Sequence, residues 1–221
     1  MLSSIVDKYR RHRFAWLFAS LLLSVAGHFV FQAVVPGITP LELLLALSLI
    51  AAIAGTARER SGRILIAVGL AFAATRVIAA GLGIDGLLPV SHLLWVIAGV
   101  LATVATVRHA LRGSVIDTER IFAALDAYLL VGLMFGVCYS LLDRAYPGSF
   151  AGAALDGNLT LEKAIYFSFV TIATLGYGDI VPVSDAARGL ANLEAISGQM
   201  YLAVLVAWLV SLFARSPHAD A

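Results

Sequence analysis

The sequence predicts an all-α membrane protein: six transmembrane helices, with a re-entrant helix and loop between the fifth and the sixth. Three observations predict it. Of 221 residues, 61% are hydrophobic and 13% charged, well outside the roughly 45–50% apolar and about 25% charged of soluble domains. Six stretches are long and apolar enough to cross a hydrocarbon core of roughly 30 Å, which takes about 20 helical residues. One further apolar stretch is too short to cross and follows a polar segment.

The spans are Phe14 to Val35, Leu41 to Ala57, Ile64 to Ile84, Leu87 to Val107, Ile121 to Leu142 and Leu190 to Ala214. The first follows basic residues, as a secretory leader does, but its apolar run exceeds an ordinary leader core, so it reads as a retained span. Pro36 and Pro40 bracket the first connection, Arg58 to Arg63 forms the second, and Gly83 with Asp85-Gly86 marks the third. These breaks divide the chain into an N-terminal segment 1–13, a four-helix membrane domain 14–107, a linker 108–120, a module 121–214 and a tail 215–221. The tail is too short for a folded sensing domain, so regulation through such a domain is not expected.

The segment from Asp143 to Ala187 is polar first and apolar afterwards. Thr160 is placed to cap a short helix from Leu161 to Ala173, with Glu162 in its first turn, where a carboxylate suits the positive end of the helix dipole. Non-helical backbone at membrane depth survives only where protein or a water-filled cavity surrounds it. A re-entrant loop lining such a cavity meets that condition.

The distribution of Lys and Arg orients the chain. Lys8, Arg10, Arg11 and Arg13 precede the first span; Arg58, Arg60 and Arg63 lie between the second and third; Arg108, Arg112 and Arg120 between the fourth and fifth; Arg215 follows the sixth. The opposite side holds Arg144, Lys163 and Arg188, and Arg76 lies within the third span. The positive-inside rule places both termini in the cytoplasm, and the re-entrant loop therefore enters from outside. Net charge is +1 and no basic block is interleaved with aromatics, so no nucleic-acid partner is expected. The one cysteine, Cys138, excludes an intrachain disulfide.

Within the loop, Thr174-Leu175-Gly176-Tyr177-Gly178-Asp179 resembles the selectivity filter of potassium channels. A potassium ion leaving water needs its oxygen shell replaced, and rings of backbone carbonyls do this. Aiming successive carbonyls at one axis requires backbone conformations open to Gly176 and Gly178, which lack a Cβ. The resemblance extends over Ile121 to Ala214 and implies coordinating carbonyls on Thr174, Leu175, Gly176 and Tyr177, the Thr174 hydroxyl at the inner end, and four chains around one pore. It also implies potassium as the permeant ion, a lipid environment and no cofactor. Leu175 stands where valine is commoner in the family, a small departure because its carbonyl is the coordinating group.

Other departures concern support for the filter. Tyr166 and Phe167 occupy positions where relatives carry tryptophans, and Val170 stands where some have an acid. The expected hydrogen bond runs from the Tyr166 hydroxyl to Asp179. Gly198 of the sixth span lies where relatives often bend; close helix packing is an equally common reason for a membrane glycine. Glu194 reads as interfacial or paired with Arg188. Arg76, with Glu42 as its expected partner, is an intramembrane ion pair, structural or functional; His28 and His92 read as packed histidines.

Two other classes share part of this pattern. A carrier or the ion-conducting subunit of a potassium-uptake system also uses filter-like loops, but with four loops in one chain. An enzyme, or a structural membrane protein in which Gly-Tyr-Gly is a turn, lacks paired carboxylates, a His/Cys cluster or a Ser-His-Asp set within the spans. The fourth span, Leu87 to Val107, contains no Arg or Lys, whereas a voltage sensor gains about 2.3 kcal/mol for each charge moved through 100 mV. Conductance is therefore expected to vary only weakly with voltage. A steep conductance–voltage curve that persists after neutralising Arg76, Arg108 and Arg112 would overturn this reading.

Overall fold

A computed structural model of the chain describes residues 13–34, 88–111, 117–155 and 157–215, with positions 64, 67–72, 74–75 and 78. Its elements are α1 (Arg13–Val34), α2 (Leu88–Leu111), α3 (Thr118–Ala145), β1 (Phe150–Ala151), α4 (Leu161–Ile172), β2 (Val181–Pro182) and α5 (Asp185–Arg215). Among the described residues three helices are long and apolar enough to cross a membrane, over Leu93–Ala110, Thr118–Ala145 and Asp185–Ser211; α1 carries a shorter apolar stretch, Phe14–Leu23. The second expected span and most of the third, with Glu42 and Arg76, lie outside the described residues, as do the side chains of His28 and His92.

Helix ends extend past their apolar runs where capping groups allow. α3 starts three residues before Ile121 because the Asp117 side chain accepts from the Arg120 backbone N–H at 2.9 Å. α5 starts at Asp185 rather than Leu190, with the Ser184 hydroxyl accepting from the Ala187 N–H at 3.2 Å. Polar caps belong in the interfacial layer, so hydropathy alone places these ends too deep. α2 continues to Leu111, and Arg108 and His109 occupy its last turn, where cations suit the negative helix end.

One core joins the helices. Phe14, Leu17 and Leu21 of α1 meet Trp95, Ala98 and Ala102 of α2 and Ala123, Leu130 and Leu133 of α3, all buried, and Phe72 joins the same cluster. At one end the Phe14 N–H of α1 donates to Glu119 at 3.0 Å, and the Phe14 ring stacks on His109 at 4.5 Å. The start of α1, the end of α2 and the start of α3 thus come together, carrying Arg13, Arg108 and Arg120 to one end of the bundle.

The short helix α4 lies against α3, and two glycines one turn apart make room for it. A Cβ on Gly132 would sit 2.8 Å from the Phe169 ring; one on Gly136 would sit 2.6 Å from Ile165 Cγ1 and 2.7 Å from its Cα. Gly132 and Gly136 form a G-x-x-x-G pair, a pattern that lets membrane helices approach closely. Phe167 packs on the same side, edge-on to Tyr139 (5.0 Å) and Phe150 (5.4 Å); each such pair contributes about 0.5–1.5 kcal/mol beyond its buried area.

Gly136→Ala places a methyl group against the Ile165 backbone, which cannot rotate away, and should cost about 1–3 kcal/mol. Gly132→Ala meets only a ring edge and should cost less. Thermal denaturation of the two purified variants checks the order, and equal melting temperatures would contradict it.

Candidate functional site

The N-terminus of α4 is capped by Thr160, whose side chain accepts from the Lys163 N–H, with Glu162 in the first turn. At its other end the helix stops at Ile172, and the Ala173 N–H bonds back to the Phe169 carbonyl at 3.1 Å. The next N–H groups also turn back toward the helix: Thr174 to the Thr171 carbonyl at 3.0 Å, Leu175 to Val170 at 2.9 Å and Gly176 to Val170 at 3.3 Å. The contribution of Val170 is therefore its carbonyl as well as its buried side chain.

Beyond Ala173 the backbone alternates in hand. Thr174 has φ 59°, Gly176 φ 59° and Gly178 φ 76°, while Leu175 and Tyr177 are absent from the positive-φ set. In a strand successive carbonyls point to opposite sides; reversing the hand at every second residue brings them to the same side. The N–H groups of Leu175 and Gly176 are committed to Val170, and among the described residues no hydrogen bond is accepted by the carbonyls of Thr174, Leu175, Gly176, Tyr177 or Gly178. All five residues are exposed in the single chain. A row of free carbonyls on one edge is a cation-coordinating arrangement.

A Cβ on Gly176 or Gly178 would meet nothing within 4 Å, so glycine is required there by conformation and not by space. Thr174 adopts the same left-handed region with a Cβ, the only non-glycine among the described residues to do so, at a cost of roughly 1–2 kcal/mol. Sequence reasoning missed this strain because threonine carries no signal for it.

The outer side of the loop is held by side chains. The Tyr166 hydroxyl donates to Asp179 at 2.7 Å. β1 pairs antiparallel with β2, Phe150 opposite Pro182 and Ala151 opposite Val181, fastening the segment after the filter to the segment before α4. Buried Asp143 at the end of α3 accepts from the Ser149 N–H at 3.1 Å and the Leu159 N–H at 2.9 Å, closing the loop between them. Phe167 packs edge-on against Phe150 of β1 at 5.4 Å. Its ring lies in the aromatic cluster against α3.

Behind α4 the structure departs from the sequence reading. Glu194 neither reaches the interface nor pairs with Arg188, whose contacts are Asp185 at 4.0 Å and the Pro182 carbonyl at 3.3 Å. It is fully buried, accepts from the Tyr139 hydroxyl at 2.6 Å and lies in hydrogen-bond contact with the Ser168 hydroxyl, which also meets the Gly132 carbonyl at 2.6 Å. An acid does stand behind α4, supplied by α5 and not by position 170. An acid inside an apolar span is by itself a functional candidate, and that signal was present in the sequence. Gly198 packs on Ile172 at the end of α4, where a Cβ would sit 2.5 Å from the Ile172 side chain, and α5 runs through it unbroken.

Residues 123–215 match the family model described as an ion channel. An inward rectifier potassium channel of Paramagnetospirillum magnetotacticum is 33% identical over 92 residues, 40% of this chain and 28% of that protein. Two-pore potassium channel 4 of Arabidopsis thaliana is 39% identical over 84 residues, 38% of this chain and 27% of its own length. The voltage-gated potassium channel protein Shal of Drosophila melanogaster is 32% identical over 90 residues, 40% of this chain and 16% of that protein. The chain therefore spans less than a third of the length of these relatives. No solved structure matches it at comparable significance.

Tyr166→Phe removes the hydroxyl that joins α4 to Asp179, and should lower the unfolding free energy by about 1 kcal/mol, the usual net value of such a bond. Thermal unfolding of the purified protein checks this. A variant as stable as the parent would show that the bond contributes nothing net.

Proposed function

We propose that the protein is a potassium-selective channel that conducts K+ passively down its electrochemical gradient through a pore formed by four copies of this chain. The observation that carries this reading is the row of hydrogen-bond-free carbonyls from Thr174 to Tyr177, set by left-handed residues at alternate positions. Such carbonyls stand in for the water oxygens of a dehydrated potassium ion, and closely spaced sites let ions move in file because binding at each is weak enough to release. The Thr174 hydroxyl adds an oxygen at the inner end. The potassium-channel names of the similar proteins point to the same ion.

Four-fold assembly follows from incompleteness. One chain supplies one edge of carbonyls, and an ion needs a ring. Leu175 is 56% exposed and Tyr177 65%, and only 11% of the α5 span is buried within the chain, against 50% for α3. Neighbouring copies around the pore and lipid on the outside supply what these surfaces lack. The resulting unit is a cell-membrane homotetramer with cytoplasmic termini, a pore module over 121–214 and no cofactor. Voltage dependence is weak, since α2 carries no Arg or Lys before Arg108. Gly198 is the candidate hinge for the inner helix.

Reconstitution into liposomes tests the proposal: potassium-driven flux should exceed sodium-driven flux, and barium should block it. Gly178→Asp puts a charged side chain on a left-handed residue and should abolish flux; Thr174→Ala should reduce potassium preference over sodium. Undiminished, selective flux in Gly178→Asp would overturn the filter assignment.

A further inference from the structure

Glu194 sits where three elements meet: α5, which carries it, α4 through Ser168, and α3 through Tyr139 and the Gly132 carbonyl. The three contacts run in a chain, Tyr139 to Glu194, Glu194 to Ser168, and Ser168 to Gly132. Each needs one hydrogen between its two oxygens. Tyr139 supplies the first. Ser168 has a single hydroxyl hydrogen, and the Gly132 carbonyl, which can only accept, takes it at 2.6 Å. The hydrogen between Ser168 and Glu194 must then come from Glu194, and an ionised carboxylate has none.

We propose that Glu194 is held as a neutral carboxylic acid that donates to Ser168 and accepts from Tyr139, and that in this form it is a positioning residue, locking the inner helix to the back of the pore helix. A neutral acid also meets the constraints of the site. Glu194 is fully buried, and no base pairs with it among the described residues; an uncompensated carboxylate there would carry a large desolvation cost. Among the described residues, the titratable side chains toward it are Tyr139, which donates to it, and Cys138 and Tyr128, all on α3. Separately, Tyr128 of α3 donates to the Ile172 carbonyl at 3.2 Å, at the end of α4. Movement of α5 is transmitted to α4 through the Glu194–Ser168 bond rather than through apolar contact alone.

The functional part of this inference rests on the channel reading; the protonation part does not. Glutamine reproduces the required pattern, since its amide N–H₂ donates to Ser168 and its carbonyl accepts from Tyr139. In the reconstituted protein, Glu194→Gln should keep potassium flux and potassium-over-sodium preference within about threefold of the parent, whereas Glu194→Ala, which orphans the buried Tyr139 hydroxyl and cuts the link from α5 to Ser168, should lose about tenfold or more. Infrared difference spectroscopy should show a carboxylic-acid carbonyl band in the parent that is absent in Glu194→Gln and shifted in Ser168→Ala. A Glu194→Gln variant as impaired as Glu194→Ala, or a parent without that band, overturns the proposal. If Glu194→Ala does not fold, the spectrum and the Glu194→Gln flux still decide. Undiminished flux in Gly178→Asp would instead remove the channel reading and leave the infrared result standing.

Discussion

The structure depends on one row of backbone carbonyls, Thr174 to Tyr177, that accept no hydrogen bond among the described residues. Buried polar backbone ordinarily pairs, because an orphaned group in an apolar medium costs several kcal/mol. From Thr174 to Tyr177 the chain separates the two halves of the problem. The N–H groups of Leu175 and Gly176 are satisfied by the Val170 carbonyl, and alternating backbone hand leaves the carbonyls on the other edge. The strain at Thr174 must be supported from outside the loop.

Support comes from the short helix α4, which at 12 residues is marginal by itself and must be held by its neighbours. Gly132 and Gly136 remove side chains from α3 so that Phe169 and Ile165 reach its backbone, and Gly198 does the same on α5 for Ile172. Polar links add direction to this close packing: Glu194 through Ser168 from behind, Tyr166 to Asp179 at the outer mouth, and Asp143 and the β1–β2 pair in the loops. Apolar contacts tolerate sliding, while hydrogen bonds of this kind hold one register. The rigidity of the loop is thus distributed over α3, α5 and the outer segments. The face of α5 turned away from α4 remains uncovered within one chain.

Much of this was legible in the sequence, for identifiable reasons. The filter segment is a backbone device, so its requirement falls on glycine at Gly176 and Gly178, a requirement visible in the residue letters. The helix α4 was legible from Thr160, Glu162 and the length of the apolar run, and the Tyr166–Asp179 bond from residues only 13 apart. Glu194 was misplaced because a count of residues from the loop put it near the surface, while α5 in fact begins at Asp185, which carries Glu194 deeper. Gly132 and Gly136 were passed over because a glycine's partner cannot be known until the packed helix is known.

By itself, then, the sequence determined the membrane class and the glycines of the carbonyl row, since each follows from hydrophobic length or from the conformational freedom of single residues. Only the tertiary structure decided how the row is held. Gly132 meets Ser168 across 36 residues, Ser168 meets Glu194 across 26, and Tyr139 meets Glu194 across 55. Which polar group satisfies which depends on distances between helices, and those distances are set by packing, a property that no local pattern encodes.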